Sequence, residues 1–183
     1  ALLLFACVLL HELGHSLVAK AARIPVSRVT LFIFGGVAEI AQEPRRPMVE
    51  LRIALAGPLV SLVIATSCFF LGQVLPLHSA TEVAAWAIVR YLAVINTGIL
   101  IFNLLPGFPL DGGRVLRAVL WAATGDLRKA TRITSLIGSL LGLTLLFGGL
   151  LMVVRGSWFG GIWYVLLGFF LRDAAQASYQ RAR

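Results

Sequence analysis

The sequence predicts an all-α polytopic membrane protein, and three observations predict it. The chain is 59% hydrophobic and only 13% charged, with a mean hydropathy of +0.92. A soluble domain runs at about 45–50% apolar and about 25% charged. The apolar residues gather into about five segments of membrane-spanning size. The basic residues gather in alternate gaps between those segments, as they do in membrane loops. At 183 residues, the length suits one domain of several spans. Residues 1–173 read as a membrane-embedded core and 174–183 as a polar, basic tail.

The first helix is expected over Ala1–Ala22, closing near Lys20 and Arg23 with Pro25 just beyond. Residues 26–40 are rich in Val, Ile, Phe and Thr, partly alternate, and are broken by Gly35 and Gly36. They read as a short membrane-associated β-hairpin or a re-entrant segment. A polar loop over 41–50 leads to a second span, Leu51–Leu75, which carries Ala56-Gly57-Pro58. A third span, Val83–Leu105, ends where Pro106 and Pro109 break the helix before Asp111-Gly112-Gly113. A short amphipathic helix is expected over Arg114–Thr124, and two more spans over Ile133–Val154 and Trp158–Leu171. Arg90 sits about a third of the way along the third span. Either it snorkels or that span begins later.

Charge gives an independent topology. The loop from Lys20 to Arg52 is basic, 76–82 has no basic residue, 112–132 is basic, the turn near 155 has Arg155 alone, and the tail is basic again. That alternation sends the C-terminal ends of the first and third spans to the cytoplasmic side. His15 and Asp111 then share a similar depth toward that side. The net charge of +8 follows the loops instead of forming a basic face, so nucleic acid is excluded as a partner. Cys7 and Cys68 both lie in apolar segments and form no disulfide framework.

Residues 11–15 read His-Glu-Leu-Gly-His inside the first apolar helix. Histidines four positions apart share one helix face, about 40° apart around the axis. Their imidazoles can grip one Zn²⁺, and the adjacent Glu12 can work on the water beside it. Hydrocarbon penalises such side chains, so they mark a functional site. Catalytic zinc commonly takes three protein ligands. Of the eight acidic residues, only Glu12 lies deep in an apolar helix, and Asp111 sits at a helix break between apolar segments. Asp111 is therefore the best third candidate. His78, the remaining histidine, falls on the far side of the membrane in the charge-derived topology. Irregular backbone at membrane depth persists only inside protein or beside a water-filled cavity, which adds weight to the Pro-Gly segment around Asp111. A membrane metal-ion carrier using the same His/Asp cluster is the rival reading. It has no need of a glutamate directly after the first ligand.

These motifs resemble the site-2 protease family of intramembrane zinc metalloproteases, peptidase family M50, in its compact branch without a PDZ insert. The likeness rests on His11-Glu12-Leu13-Gly14-His15, Gly35-Gly36, Ala56-Gly57-Pro58 and the stretch Asn103 to Gly113, in family order. The resemblance implies His11, His15 and Asp111 as ligands of one Zn²⁺ per chain. It implies Glu12 as catalytic base and Asn103 as a polar helper near the metal. The implied activity is zinc-dependent endoproteolysis of transmembrane or membrane-tethered substrates within the bilayer. Ser61 stands where many members carry asparagine, and no role is carried to it. The family's further span ahead of the motif helix has no counterpart here, so upstream membrane structure is expected to be missing, and an extension such as a CBS pair could begin after Arg183. The glycine-bearing segment 26–40 would offer a strand edge to hold an unwound substrate.

Overall fold

In the computed structural model, residues 2–24, 26–32, 35–40, 44, 46–75 and 79–181 are described. His78 lies outside them. The elements run α1 (Leu2–Ala21), β1 (Val26–Phe32), β2 (Gly35–Ile40), α2 (Pro47–Val74), α3 (Ala80–Asn103), α4 (Asp111–Thr124), α5 (Leu127–Val154) and α6 (Trp158–Arg181). They fall into two compact units. One comprises Ala1–Pro44 and Arg52–Asn103, the other Arg45–Leu51 and Leu104–Arg183.

Exposure is inverted relative to a water-soluble protein. Large apolar side chains such as Phe5, Leu17, Phe70, Val74, Phe147 and Phe159 face outward. Polar ones such as His11, Ser61, Asn96, Thr131 and Thr134 are buried. Such a surface suits hydrocarbon as solvent and not water. Among the described residues four helices, α1, α2, α3 and α5, are long and apolar enough to cross a membrane. The expected count was about five. The difference is α6, a single helix that runs on from its apolar stretch through Arg172 and Asp173 to Arg181, so the residues read as a polar tail are largely helical. Its apolar part ends before the ~20 residues a span needs.

In the first unit, α1 closes in a Schellman cap. The Ile24 N–H reaches the Ala19 carbonyl at 3.0 Å and the Arg23 N–H reaches that of Lys20 at 2.9 Å. Arg23 takes the left-handed conformation such a cap demands, φ 59°. β1 and β2 then pair antiparallel from Val26↔Ile40 to Phe32↔Gly35, and both strands lie against α1. α2 runs unbroken through Pro58.

The second unit holds α4 to α6 and the first turn of α2. Expected from Ile133, α5 begins instead at Leu127, because Asp126 caps it by accepting the Lys129 N–H at 3.0 Å. Arg128, Lys129 and Arg132 are therefore helical and not loop residues. α5 and α6 pack backbone to backbone where Gly142 and Gly149 face Gly168 and Gly161, the close approach that small residues give membrane helices. A buried ion pair helps tie the unit together. Arg117 Nε donates to Glu50 Oε1 at 2.6 Å and its Nη2 pairs with the same oxygen, both side chains being buried. The guanidinium also lies 5.0 Å from the Phe108 ring centroid. Glu50→Ala should strand a buried cation and destabilise this unit by about 3–5 kcal/mol. Thermal unfolding in detergent checks this, and an unchanged midpoint would show that the pair is energetically idle.

Candidate metal centre

The described residues contain one group of potential metal ligands, His11, Glu12 and His15, whose ligand atoms lie within 4.8 Å of one another. All three are on α1, which brings the two histidines to one face by their spacing of four. They are 2%, 8% and 4% exposed. Buried imidazoles need their ring nitrogens occupied, and α2 occupies one on each. Ser61 Oγ lies 2.9 Å from His11 Nδ1, and the Ile53 carbonyl accepts from His15 Nδ1 at 2.7 Å. Between these two partners sits Gly57. A Cβ there would fall 2.5 Å from His11 Nε2 and onto His15 Nε2. Ile53, Gly57 and Ser61 are spaced by four along α2, so one face supplies an acceptor, a gap and a hydroxyl in register with the two imidazoles.

With its Nδ1 proton committed to a carbonyl, neutral His15 presents a bare lone pair from Nε2. His11 does the same when it donates to Ser61. The two Nε2 atoms stand 3.3 Å apart. Two nitrogens on one tetrahedral zinc, at Zn–N of about 2.0–2.1 Å, are separated by about 3.3–3.4 Å. The donor set, the tautomers and the space left by Gly57 therefore fit a zinc ion.

Two other residues complete the sequence-derived set. Asn103 ends α3, and its Nδ2 donates to the Ile99 carbonyl of its own helix at 3.0 Å. Asp111 is buried in the second unit as the first residue of α4. The elbow leading into it is tightly wound. The Leu110 N–H reaches the Gly107 carbonyl and the Gly113 N–H reaches that of Leu110, both at 3.0 Å. A Cβ on Gly112 or Gly113 would collide with the backbone of Leu104, Leu105, Gly107 or Phe108. The two glycines after Asp111 are thus what let the chain fold back this closely.

The model of peptidase family M50 matches residues 1–84 and 71–146. The chain belongs to peptidase family M50, the site-2 protease family. Among M50 relatives, sll0528 of Synechocystis sp. is 42% identical over 183 residues, which is all of this chain and 47% of that protein. Zinc metalloprotease MJ0392 of Methanocaldococcus jannaschii is 41% identical over 150 residues, covering 82% of this chain and 42% of its own. The solved site-2 protease from Methanocaldococcus jannaschii superposes with a TM-score of 0.74 at 35% identity, over 97% of this chain and 76% of that one. The chain spans under half the length of these curated M50 relatives. Family membership and four apolar helices make it a multi-pass integral membrane protein.

In the sequence Ser61 and Gly57 stand out only as a departure from and a match to the M50 pattern, with no role attached, and Ile53 does not stand out at all. Nor does Asn96, fully buried on α3, whose Nδ2 donates to Cys7 Sγ at 3.1 Å and to the Leu92 carbonyl at 2.9 Å. The legible signal was a polar residue inside an apolar helix, which Ser61 and Asn96 both are.

Proposed function

We propose that the chain is the core of a zinc-dependent intramembrane endopeptidase that hydrolyses peptide bonds in or near transmembrane segments of membrane-tethered substrates. The observation that carries this is the buried His11/His15 pair, its Nδ1 atoms engaged and its Nε2 atoms facing each other at 3.3 Å beside Glu12. Relatives named as zinc metalloproteases and a site-2 protease support it.

In this reading His11, His15 and Asp111 hold one zinc per chain. Zinc, when bound, acidifies a water and polarises the scissile carbonyl. Glu12 takes the proton that the water gives up and hands it to the leaving amine. Asn103 supplies a polar group near the reacting carbonyl, turning its amide away from Ile99. The free edge of the β1–β2 hairpin, lying against the helix that carries the histidines, holds the substrate extended by strand addition and so exposes carbonyls that a membrane helix hides. The alternation of basic stretches along the sequence supports a site toward the cytoplasmic side.

The test is cleavage of a reporter transmembrane helix in proteoliposomes. Cleavage that a chelator stops and zinc restores supports the endopeptidase. Zinc flux across the vesicle without cleavage would make the cluster a carrier's ion path and overturn the proposal.

Ser61→Ala should lower zinc affinity by about 10–100-fold, the usual cost of losing a hydrogen bond behind a ligating histidine. Ser61→Thr, which keeps the hydroxyl, should recover most of it. Zinc retention against a competing chelator reads both. Unchanged affinity in Ser61→Ala would show that His11 is held without the serine.

A further inference from the structure

Arg90 has no place in the chemistry above. α3 begins at Ala80, so Arg90 lies ten residues inside it, about 15 Å along the axis. The whole helix has 24 residues, or about 36 Å, against a hydrocarbon thickness of about 30 Å. The arginine Cα is thus near mid-span. Helical side chains lean toward the N-terminus, and the guanidinium follows that rule, lying 6.0 Å from the ring centroid of Trp86, one turn nearer the Ala80 end. This is snorkelling toward the nearer surface. Among the described residues Arg90 has no carboxylate partner, only this ring. A charged group at such depth is expensive unless paired.

The same arginine lines a cavity of about 470 Å³ between α2 and α3, inside the first unit. The other walls are mostly apolar, with Leu62, Phe69, Phe70, Val94 and Leu100 among them. The helices are antiparallel, so the groove has a polarity. Arg90, Phe69 and Phe70 sit at the end toward Ala80 and Val74. Leu62 and Leu100 sit at the other end. Thr66 and Thr97 lie along the wall, but their hydroxyls already donate to backbone carbonyls of their own helices. A cation at the mouth and a hydrocarbon trough below it complement one kind of molecule, an anion with an aliphatic tail.

We propose that the α2–α3 groove is a binding site for an anionic phospholipid. Its phosphate is held by the Arg90 guanidinium, whose planar fork matches phosphate oxygens. One acyl chain lies in the trough down to Leu62 and Leu100. Leu62 follows Ser61, the α2 residue bonded to His11, so the groove is built on the same helix that orients the histidine pair. The assignment stands on Arg90 and the groove alone and does not need the protease reading.

The experiment is native mass spectrometry of the whole chain released from nanodiscs of phosphatidylcholine with and without phosphatidylglycerol. Wild type should retain one phosphatidylglycerol per chain. Arg90→Gln should retain roughly ten- to a hundredfold less, the worth of a charge-assisted hydrogen bond. Arg90→Lys should fall between. Thr66→Phe, which fills the trough and leaves Arg90 in place, should also lose the lipid. Helix content by circular dichroism confirms that each variant is folded. Equal retention by wild type and Arg90→Gln would overturn the proposal. So would full retention by Thr66→Phe, which would place the tail elsewhere, or displacement of the lipid by inorganic phosphate, which would mean that the anion alone is recognised.

Discussion

Glu12→Gln is expected to abolish cleavage of a transmembrane reporter while leaving zinc in place. The expected loss is about 10²–10⁴-fold, the range a positioned general base supplies. The substitution keeps the size of a buried side chain that is 8% exposed, so packing of α1 should survive. What it removes is the ability to accept a proton. Glu12 is close enough to the histidine nitrogens to be a ligand itself, since all three ligand atoms lie within 4.8 Å. Measuring zinc content beside activity separates the two roles. Zinc retained with activity gone assigns the base. Zinc lost together with activity makes Glu12 a third ligand and removes the need for Asp111. Full activity in the variant refutes both.

How far the sequence reached depended on the range of the interaction. The pairing of His11 with His15 needs only the helical period, so it was legible from five residues. The same holds for α1, whose stop at Lys20 and Arg23 was marked by charge and Pro25. The start of α5 was misplaced by six residues because Arg128, Lys129 and Arg132 look like loop composition, whereas the Asp126 cap wins them for the helix. The helical state of the polar tail left no mark in hydropathy for a related reason. Arg172 and Asp173 end an apolar run without ending a helix, since hydropathy reports the solvent around a helix and not its hydrogen bonding. The groups behind the histidines were illegible for a different reason. Ser61 lies fifty residues from His11 and Ile53 thirty-eight from His15, and a backbone carbonyl leaves no signature in a sequence at all. Only the i, i+4 spacing of 53, 57 and 61 hinted at a shared face.

Gly57→Ala should cost the protein its zinc although the change adds one methyl group. The new Cβ would sit where the imidazoles of His11 and His15 present their metal-facing nitrogens. Relief by moving the helices apart would give up close packing nearby. A Cβ built on Gly14, on the facing side of α1, already stands 3.0 Å from the Ala56 carbonyl oxygen and 2.9 Å from Val60 Cγ2, so α1 and α2 are at backbone contact. Rotating the rings away would break the Nδ1 bonds to Ser61 and Ile53. Overpacking of a close-packed site costs about 1–3 kcal/mol, and here the cost falls on the ligand geometry, so zinc affinity should drop roughly a hundredfold. Gly98→Ala is the control. It lies inside α3, where an added Cβ meets nothing within 4 Å, and replacing a mid-helix glycine by alanine gains about 0.5–1 kcal/mol. Chelator competition should thus show Gly57→Ala stripped of zinc and Gly98→Ala indistinguishable from wild type or slightly more stable to heat. Equal zinc affinity in the two variants would mean that the helices part at little cost and that the gap at Gly57 is not what the ligand geometry depends on.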